Sequence, residues 1–557
     1  MSNTEQKLLL DAVYDWERTA PHRIYMTQPL GNGQTVDYTW GETLQQARRM
    51  AAHLRSLELP PNSHIALISK NCAHFIICDL AIWMAGHVSI ALYPTLNADT
   101  IEYILDHSDS RLVFVGKLDG WDDLKKGIPD ALPKIALPLA PPNDYPQWDD
   151  IIVQHEPITD SPVPTGDQLA LMCYTSGSTG RPKGVMHTFA SASVAAQFIT
   201  AELGITGEDR MLSYLPLAHV LERSNVAFGS FFSGMHVYFS ESLDTFVDDL
   251  RRARPTLFIS VPRLWLKFQM GVFKKFPEKK LARLLRIPIV GGIVRKKVLD
   301  GLGLGNVRLA GSGSAPIPAE LIQWYGTLGI KLLEGYGMSE DFAYSHMSTP
   351  EMREAGYVGV KCQGVETRIS DSGELEIRSP GNMLGYYKAP ELTAECYTED
   401  GFFKTGDRGE YSPKGLLKIT GRVKELFKTS KGKYVAPVPI ENLLNSDSLI
   451  ELSCISGSGR QACYATIQLA EDVRPKLNDP AFREEITPKL TALLTSVNTQ
   501  IEEFESVQFL AVVADEWDIS NDFLTPTLKI KRNVVEAAYE GELDAWYASG
   551  QKVIWPT

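Results

Sequence analysis

Apolar and polar positions alternate with two different periods along the first 115 residues. Leu44, Ala47, Ala51 and Leu54 recur at helical spacing behind Thr39 and Glu42, a pair three apart that fits a capping box. Residues 64–69 form a short apolar run of strand type, residues 73–84 a run long enough for a buried helix, and residues 87–92 a second strand. After Tyr93-Pro94-Thr95 a helix is expected over 100–106 and a strand over 111–115. Strands and helices alternating through short connections predict βαβ units around a largely parallel sheet. Residues 120–165, rich in Pro and Asp, read as a surface excursion.

The apolar strand pattern resumes at 169–174, and residues 187–203 read as a helix. Between them lies Tyr174-Thr175-Ser176-Gly177-Ser178-Thr179-Gly180-Arg181-Pro182-Lys183-Gly184, which has no apolar face to bury. Glycines let backbone N–H groups approach anionic oxygens, hydroxyls add donors and Lys183 adds charge, so the stretch reads as a phosphate loop in the order strand, loop, helix. A solvated Gly/Ser linker is the plain alternative, and the spacing does not fit a Walker loop. Further strands are expected at 211–215, 236–239, 256–260, 307–310 and 330–333. Sites in such sheets form beyond the carboxyl ends of the strands. There the chain carries Leu215-Pro216-Leu217-Ala218-His219, Val261-Pro262-Arg263-Leu264-Trp265, Gly311-Ser312-Gly313-Ser314-Ala315-Pro316 and Glu334-Gly335-Tyr336-Gly337-Met338-Ser339-Glu340.

From 356 to 421 short strands alternate with Gly/Pro/Asp turns, the pattern of a smaller β-rich subdomain. The expected class is therefore α/β: a large domain over 1–423 of parallel βαβ layers with the β-rich subdomain at its end, and a small α+β domain over 424–557. A length of 557 residues supports at least two cores.

Net charge is 55 − 68 = −13, which disfavours a general nucleic-acid binder. Residues 251–300 run against it, with fourteen Lys/Arg against Glu278 and Asp300, interleaved with Phe273, Phe276, Leu281 and Leu284. That segment is either a solvated helical face or a surface for anionic lipid or substrate. Seven cysteines without a CxxC pair fit a reducing, cytoplasmic setting. The first residues show no signal-peptide pattern and no apolar run of eighteen occurs, so peripheral contact is the one membrane association expected.

Tyr336 between glycines suits stacking on a flat base, unless it is a packed turn; Glu340 adds a carboxylate of the kind magnesium takes beside nucleotide phosphates. Lys404-Thr405-Gly406-Asp407 offers a carboxylate to a ribose, although most such turns are structural. The succession of phosphate loop, Pro-Leu-Ala-His, Gly-Tyr-Gly-Met-Ser-Glu, Thr-Gly-Asp, Gly-Arg-Val-Lys and a late lysine resembles the adenylate-forming superfamily over roughly residues 35–540. Ala91-Leu92-Tyr93-Pro94-Thr95-Leu96, 216–223, 424–437 and 524–529 resemble its long-chain fatty acyl-CoA synthetases.

The resemblance implies a ligase that uses ATP, magnesium and coenzyme A to activate a fatty acid. Thr175, Ser176, Gly177, Ser178, Thr179, Gly180 and Lys183 would hold phosphates, with Thr175 and Glu340 near the metal. Ser314, Ala315 and Pro316 with Glu334, Gly335, Tyr336 and Gly337 would frame adenine, and Ser339 would reach phosphate. Asp407, beside Arg422, would take the ribose; Lys424 would be the hinge of a mobile C-terminal domain and, with Lys428, a nucleotide contact. Lys529 would be the catalytic lysine, with Lys531 two places on as its rival. His219 would line the site near the acyl carboxylate and Trp265 would gate the acyl tunnel, each with a structural role as the alternative. Ser339 stands where most relatives carry Thr, Lys424 where many carry Asp, and no Gly precedes the late lysine. An acyl-AMP ligase loading a carrier protein and a non-catalytic acyl or nucleotide sensor are the competing readings, and chain length and oligomeric state are open.

Overall fold

A computed structural model describes residues 7–175, 181–525 and 528–556. The Thr39–Glu42 capping box forms: the Thr39 hydroxyl accepts from the Glu42 N–H and Glu42 accepts from the Thr39 N–H, opening the Trp40–Ser56 helix. Leu44, Ala47, Ala51 and Leu54 are all buried on its inner face. Ala73–Met84 is a helix with every residue buried, as befits a segment apolar on all sides.

Two large sheets carry the N-terminal part. The first runs Gly385–Tyr386, Lys183–Thr188, Leu169–Thr175, Val88–Leu92, His64–Ile68, Leu112–Val115 and Lys134–Ala136. The second has nine strands and places Leu332–Tyr336, Leu309–Ser312, Leu257–Ser260 and Arg210–Ser213 side by side and parallel. One apolar cluster joins strands of both sheets to the Ala73–Met84 and Phe189–Glu202 helices. A four-stranded sheet of Glu366–Ile369, Glu374–Arg378, Phe403–Tyr411 and Leu417–Arg422 follows, and a second four-stranded sheet with its own core lies in the C-terminal part.

Three expectations fail locally. Residues 183–188 form a strand antiparallel to Leu169–Thr175, so the order is strand, loop, strand, helix, and His187 is buried in the second strand. The helix starts only at Phe189, where the Thr188 hydroxyl accepts from the Ser191 N–H. Residues 120–165 are more than an excursion, because Lys134–Ala136 extends the first sheet and Trp148 is wholly buried on the Trp148–Gln154 helix. Glu334, Gly335 and Tyr336 belong to the Leu332–Tyr336 strand and not to a loop.

Among the described residues no helix is long and apolar enough to cross a membrane.

Candidate active site

The expected phosphate loop falls, in sequence, between Thr175 and Lys183, the last paired residues of two antiparallel strands. Ser176, Gly177, Ser178, Thr179 and Gly180 lie outside the described residues. Lys183, the paired residue next to the connecting loop, sits 5.3 Å over the ring of Tyr386, and the Tyr386 hydroxyl donates to Glu340 Oε1 at 2.7 Å. Tyr386 is held there because Gly385–Tyr386 pairs as a short strand with Val185 and Met186. Sequence reasoning missed it: the signal was the Gly385-Tyr386-Tyr387 sequence, which reads as an ordinary turn until the non-local pairing is known.

Glu340 lies in the one-turn helix Ser339–Asp341 and is half-buried, and among the described residues its Oε2 has no hydrogen-bond partner. The turn beneath it is tightly built. Phe342 and Ala343 both adopt left-handed φ, a cost that side chains bear mainly where a site demands it. A Cβ on Gly337 would stand 2.6 Å from the Ala343 carbonyl carbon, so only glycine fits. Asp341 Oδ1 accepts from the Met338 and Tyr344 N–H groups, and burial pushes its pKa up to about 7. His187 Nε2 hydrogen-bonds the Ser339 carbonyl at 2.7 Å, tying the Lys183–Thr188 strand to the Glu340 turn.

Asp407 is buried at the end of the β-rich sheet. Its Oδ2 accepts from the Tyr336 hydroxyl at 2.6 Å and its Oδ1 meets Arg422 Nε at 3.0 Å. A carboxylate has about four lone-pair sites, so it retains capacity for vicinal hydroxyls. Glu334, almost wholly buried, accepts from the Gly356 N–H and is pushed up to about 8 by burial. Ser314 holds a left-handed φ of 66°, with Ala315 and Pro316 exposed beside it.

His219 Nδ1 accepts from the Leu221 N–H, and burial, reinforced by the Lys529 charge, lowers its pKa to about 4. The imidazole is therefore neutral near pH 7 with its proton on Nε2. The next residues are fixed from behind: Glu222 Oε1 accepts from Ser213 and the Tyr214 N–H and is raised to about 8 by burial, while Arg223, wholly buried, meets Asp79 at 2.6 Å.

Lys529 closes a turn in which Thr525 and Lys529 exchange backbone and hydroxyl hydrogen bonds. Its side chain is exposed, yet its charge is coupled electrostatically to Arg422, Asp407, Glu425 and Glu340. Desolvation is the main cause that lowers its pKa, Arg422 adds to it, and the three carboxylates oppose it. Lys531 instead pairs with Asp522. Lys424 is exposed, and Lys428 lies 5.5 Å over the Tyr434 ring. Trp265 is wholly buried: its Nε1–H donates to the Gly311 carbonyl, Phe258 and Tyr325 meet its ring in T-shaped contacts, and the Tyr325 hydroxyl donates to its carbonyl.

Magnesium with a nucleotide takes hard oxygen donors, one or two carboxylates among them. Glu340 Oε2 and the Thr175 hydroxyl fit that donor set. Among the described residues no cluster of three or more His, Cys, Asp or Glu is placed to hold a metal ion.

A family model described as AMP-binding enzyme matches residues 13–387, and one described as AMP-binding enzyme C-terminal domain matches 425–551. A long-chain fatty acid–CoA ligase of Mycobacterium bovis is 28% identical over 582 aligned positions, covering 96% of each chain. Long chain acyl-CoA synthetase 1 of Arabidopsis thaliana is 28% identical, covering 91% of this chain and 87% of its own. Among solved structures, the A domain of a carboxylic acid reductase from Segniliparus rugosus, bound to AMP and a carboxylic acid, superposes with a TM-score of 0.79 at 21% identity over 98% of this chain and 95% of that one. An anthranilate CoA ligase bound to anthranoyl-AMP superposes with a TM-score of 0.78 at 19% identity, over 97% and 98%. These last two likenesses establish the fold: mixed α/β sheets in a large N-terminal and a smaller C-terminal domain.

Proposed function

The chain belongs to the AMP-binding enzyme family, and from that premise we propose that it is a long-chain fatty acid–CoA ligase, converting a fatty acid and ATP to acyl-AMP and pyrophosphate and then passing the acyl group to CoA. The observation that carries the reading is the electrostatic coupling of Lys529, from the C-terminal part, to Asp407, Glu340 and His219 of the large domain. We place the domain boundary at 423/424, with Lys424 as the hinge.

A fatty carboxylate acylates poorly, so it first attacks the α-phosphorus of ATP, and pyrophosphate leaves. Negative charge gathers on the phosphorus oxygens in that step, and a positioned ammonium stabilises it where water is excluded. Lys529 is the group proposed for this role. His219, neutral with Nε2–H available, is suited to hydrogen-bond the acyl carboxylate without holding it as a salt. Asp407 orients the ribose, Tyr336 closes on Asp407 beside the adenine, and Lys183 draws the outer phosphates. Magnesium, held by Glu340 and Thr175, would neutralise phosphate charge. Thiolysis by CoA needs different neighbours around the same anhydride, which favours a rotation that withdraws Lys529. Trp265 as a gate would first have to release the Gly311 carbonyl.

Pyrophosphate release with palmitate, measured with and without CoA, tests the reading. Palmitoyl-CoA is the expected product. Pyrophosphate without thioester would point to an acyl-AMP ligase serving a carrier protein, and no pyrophosphate to a sensor.

The reading includes peripheral contact with anionic lipid. Residues 277–300 carry seven Lys/Arg against Glu278 and Asp300, around Ile287, Ile289 and Ile293, which are 46%, 84% and 63% exposed. We expect cosedimentation with vesicles containing phosphatidylserine, weakened by Ile289→Glu and absent with phosphatidylcholine alone. Failure to bind the anionic vesicles counts against it.

A further inference from the structure

The basic run of 251–300 is not one free face. Arg251 and Arg252 pair with Asp248 and Asp249 within their own helix. In the Pro262–Lys275 helix, Arg263, Lys267 and Lys274 stand four, then seven residues apart, which stacks them on one side over three turns. That side faces the C-terminal part of the chain. Arg263 forms an ion pair with Glu451, Lys274 meets Asp472 at 2.8 Å, and Glu471 acts electrostatically on both Arg263 and Lys267.

The acidic side is built for this contact. The Ile450–Ser456 strand shifts register between Ile450 and Leu452, so Glu451 is the extra residue of an irregularity, and such irregularities re-aim side chains. Glu451 is only 12% exposed, deeper than an ordinary surface ion pair. Glu471 and Asp472 follow the end of the neighbouring Cys463–Leu469 strand. Two cations stand near the acidic side: Arg474, paired with Glu516 at 2.7 Å though its charge still opposes Arg263, and Lys476, which acts on Asp472.

We propose that Arg263, Lys267 and Lys274 are positioning residues: with Glu451, Glu471 and Asp472 they clasp the C-terminal domain in the orientation that delivers Lys529 to the acyl-adenylation site. The inference rests on the reading of Lys529 given above. The clasp must open before CoA can attack, so it favours the first half-reaction and contributes nothing to the second. Its helix also carries Trp265 on the opposite, buried side.

The test uses the full chain with Arg263→Glu, Glu451→Lys and the two combined, which exchanges the charges. Three quantities are read: small-angle scattering, palmitate-dependent ATP–pyrophosphate exchange, and thioester formation from preformed palmitoyl-AMP and CoA. Each single reversal is expected to make the scattering particle more extended and to slow exchange by about fivefold or more, an ordinary ion-pair effect enlarged by repulsion. The exchanged pair should restore both, and thioester formation should hold its rate throughout. Scattering and exchange that stay unchanged in the single variants, or losses that the exchanged pair does not reverse, overturn the proposal. A scattering change that the exchanged pair reverses, with pyrophosphate exchange unaltered, supports the clasp and counts instead against the role of Lys529.

Discussion

Replacing Lys529 with alanine is expected to slow pyrophosphate release at least a hundredfold while palmitoyl transfer from preformed palmitoyl-AMP to CoA continues. The magnitude follows from losing one preorganised charge where negative charge develops, about 3–4 kcal/mol. The asymmetry follows from where the ammonium acts: its charge couples to Asp407, Glu340 and Arg422, the groups proposed above to meet magnesium and the nucleotide, and is felt at His219. Lys531, occupied by Asp522, supplies the control, and Lys531→Ala should leave the first half-reaction within a few-fold of the parent. Single-turnover assays of the two half-reactions decide it. Equal damage to both would remove Lys529 from the adenylation step.

The sequence made the alternating core legible because it is encoded locally. The Thr39–Glu42 box, the all-apolar 73–84 run and the strands at 64–68 and 88–92 each carry their periodicity within a dozen residues. What was misread depends on partners far along the chain. Lys183-Gly184-Val185-Met186-His187-Thr188 has weak alternation of its own and becomes a strand through pairing with 169–175 on one side and 385–386 on the other. Tyr336 was legible as a candidate residue for the site, but its hydroxyl bond to Asp407 joins positions 71 apart and leaves no local trace. The basic stripe on 263, 267 and 274 was visible as charge, whereas its acidic partners lie nearly two hundred residues later. Lys529 and Lys531 could not be separated by spacing; the turn at Thr525 and the Asp522 ion pair separate them in space.

Asp79→Ala should destabilise the large domain by about 3–5 kcal/mol, the usual cost of stranding one member of a buried ion pair. Arg223 has no exposed surface: its Nη2 donates to Asp79 at 2.6 Å and to Ser89 at 3.0 Å, and its guanidinium lies 5.4 Å over Phe75 and 5.7 Å over Phe228. Burial pushes the Asp79 pKa up, and the Arg223 charge opposes that rise. The adjacent Glu222 is no substitute partner, because burial holds it protonated at neutral pH and its Oε1 is engaged by Ser213, Tyr214 and Asn71. Arg223 also closes the segment bearing His219, through its own N–H to the His219 carbonyl, while Asn71 clamps Leu215 and Leu217. Loss of Asp79 should therefore lower the thermal midpoint and, in the fraction that stays folded, raise the KM for the fatty acid more than that for ATP. The paired replacement Asp79→Leu with Arg223→Met removes both charges and should recover most of the thermal stability, since an apolar pair of similar volume carries no desolvation cost. A lone Asp79→Ala variant that melts with the parent would mean that the guanidinium finds another anion or water, and that the segment holding His219 is anchored by Asn71 alone.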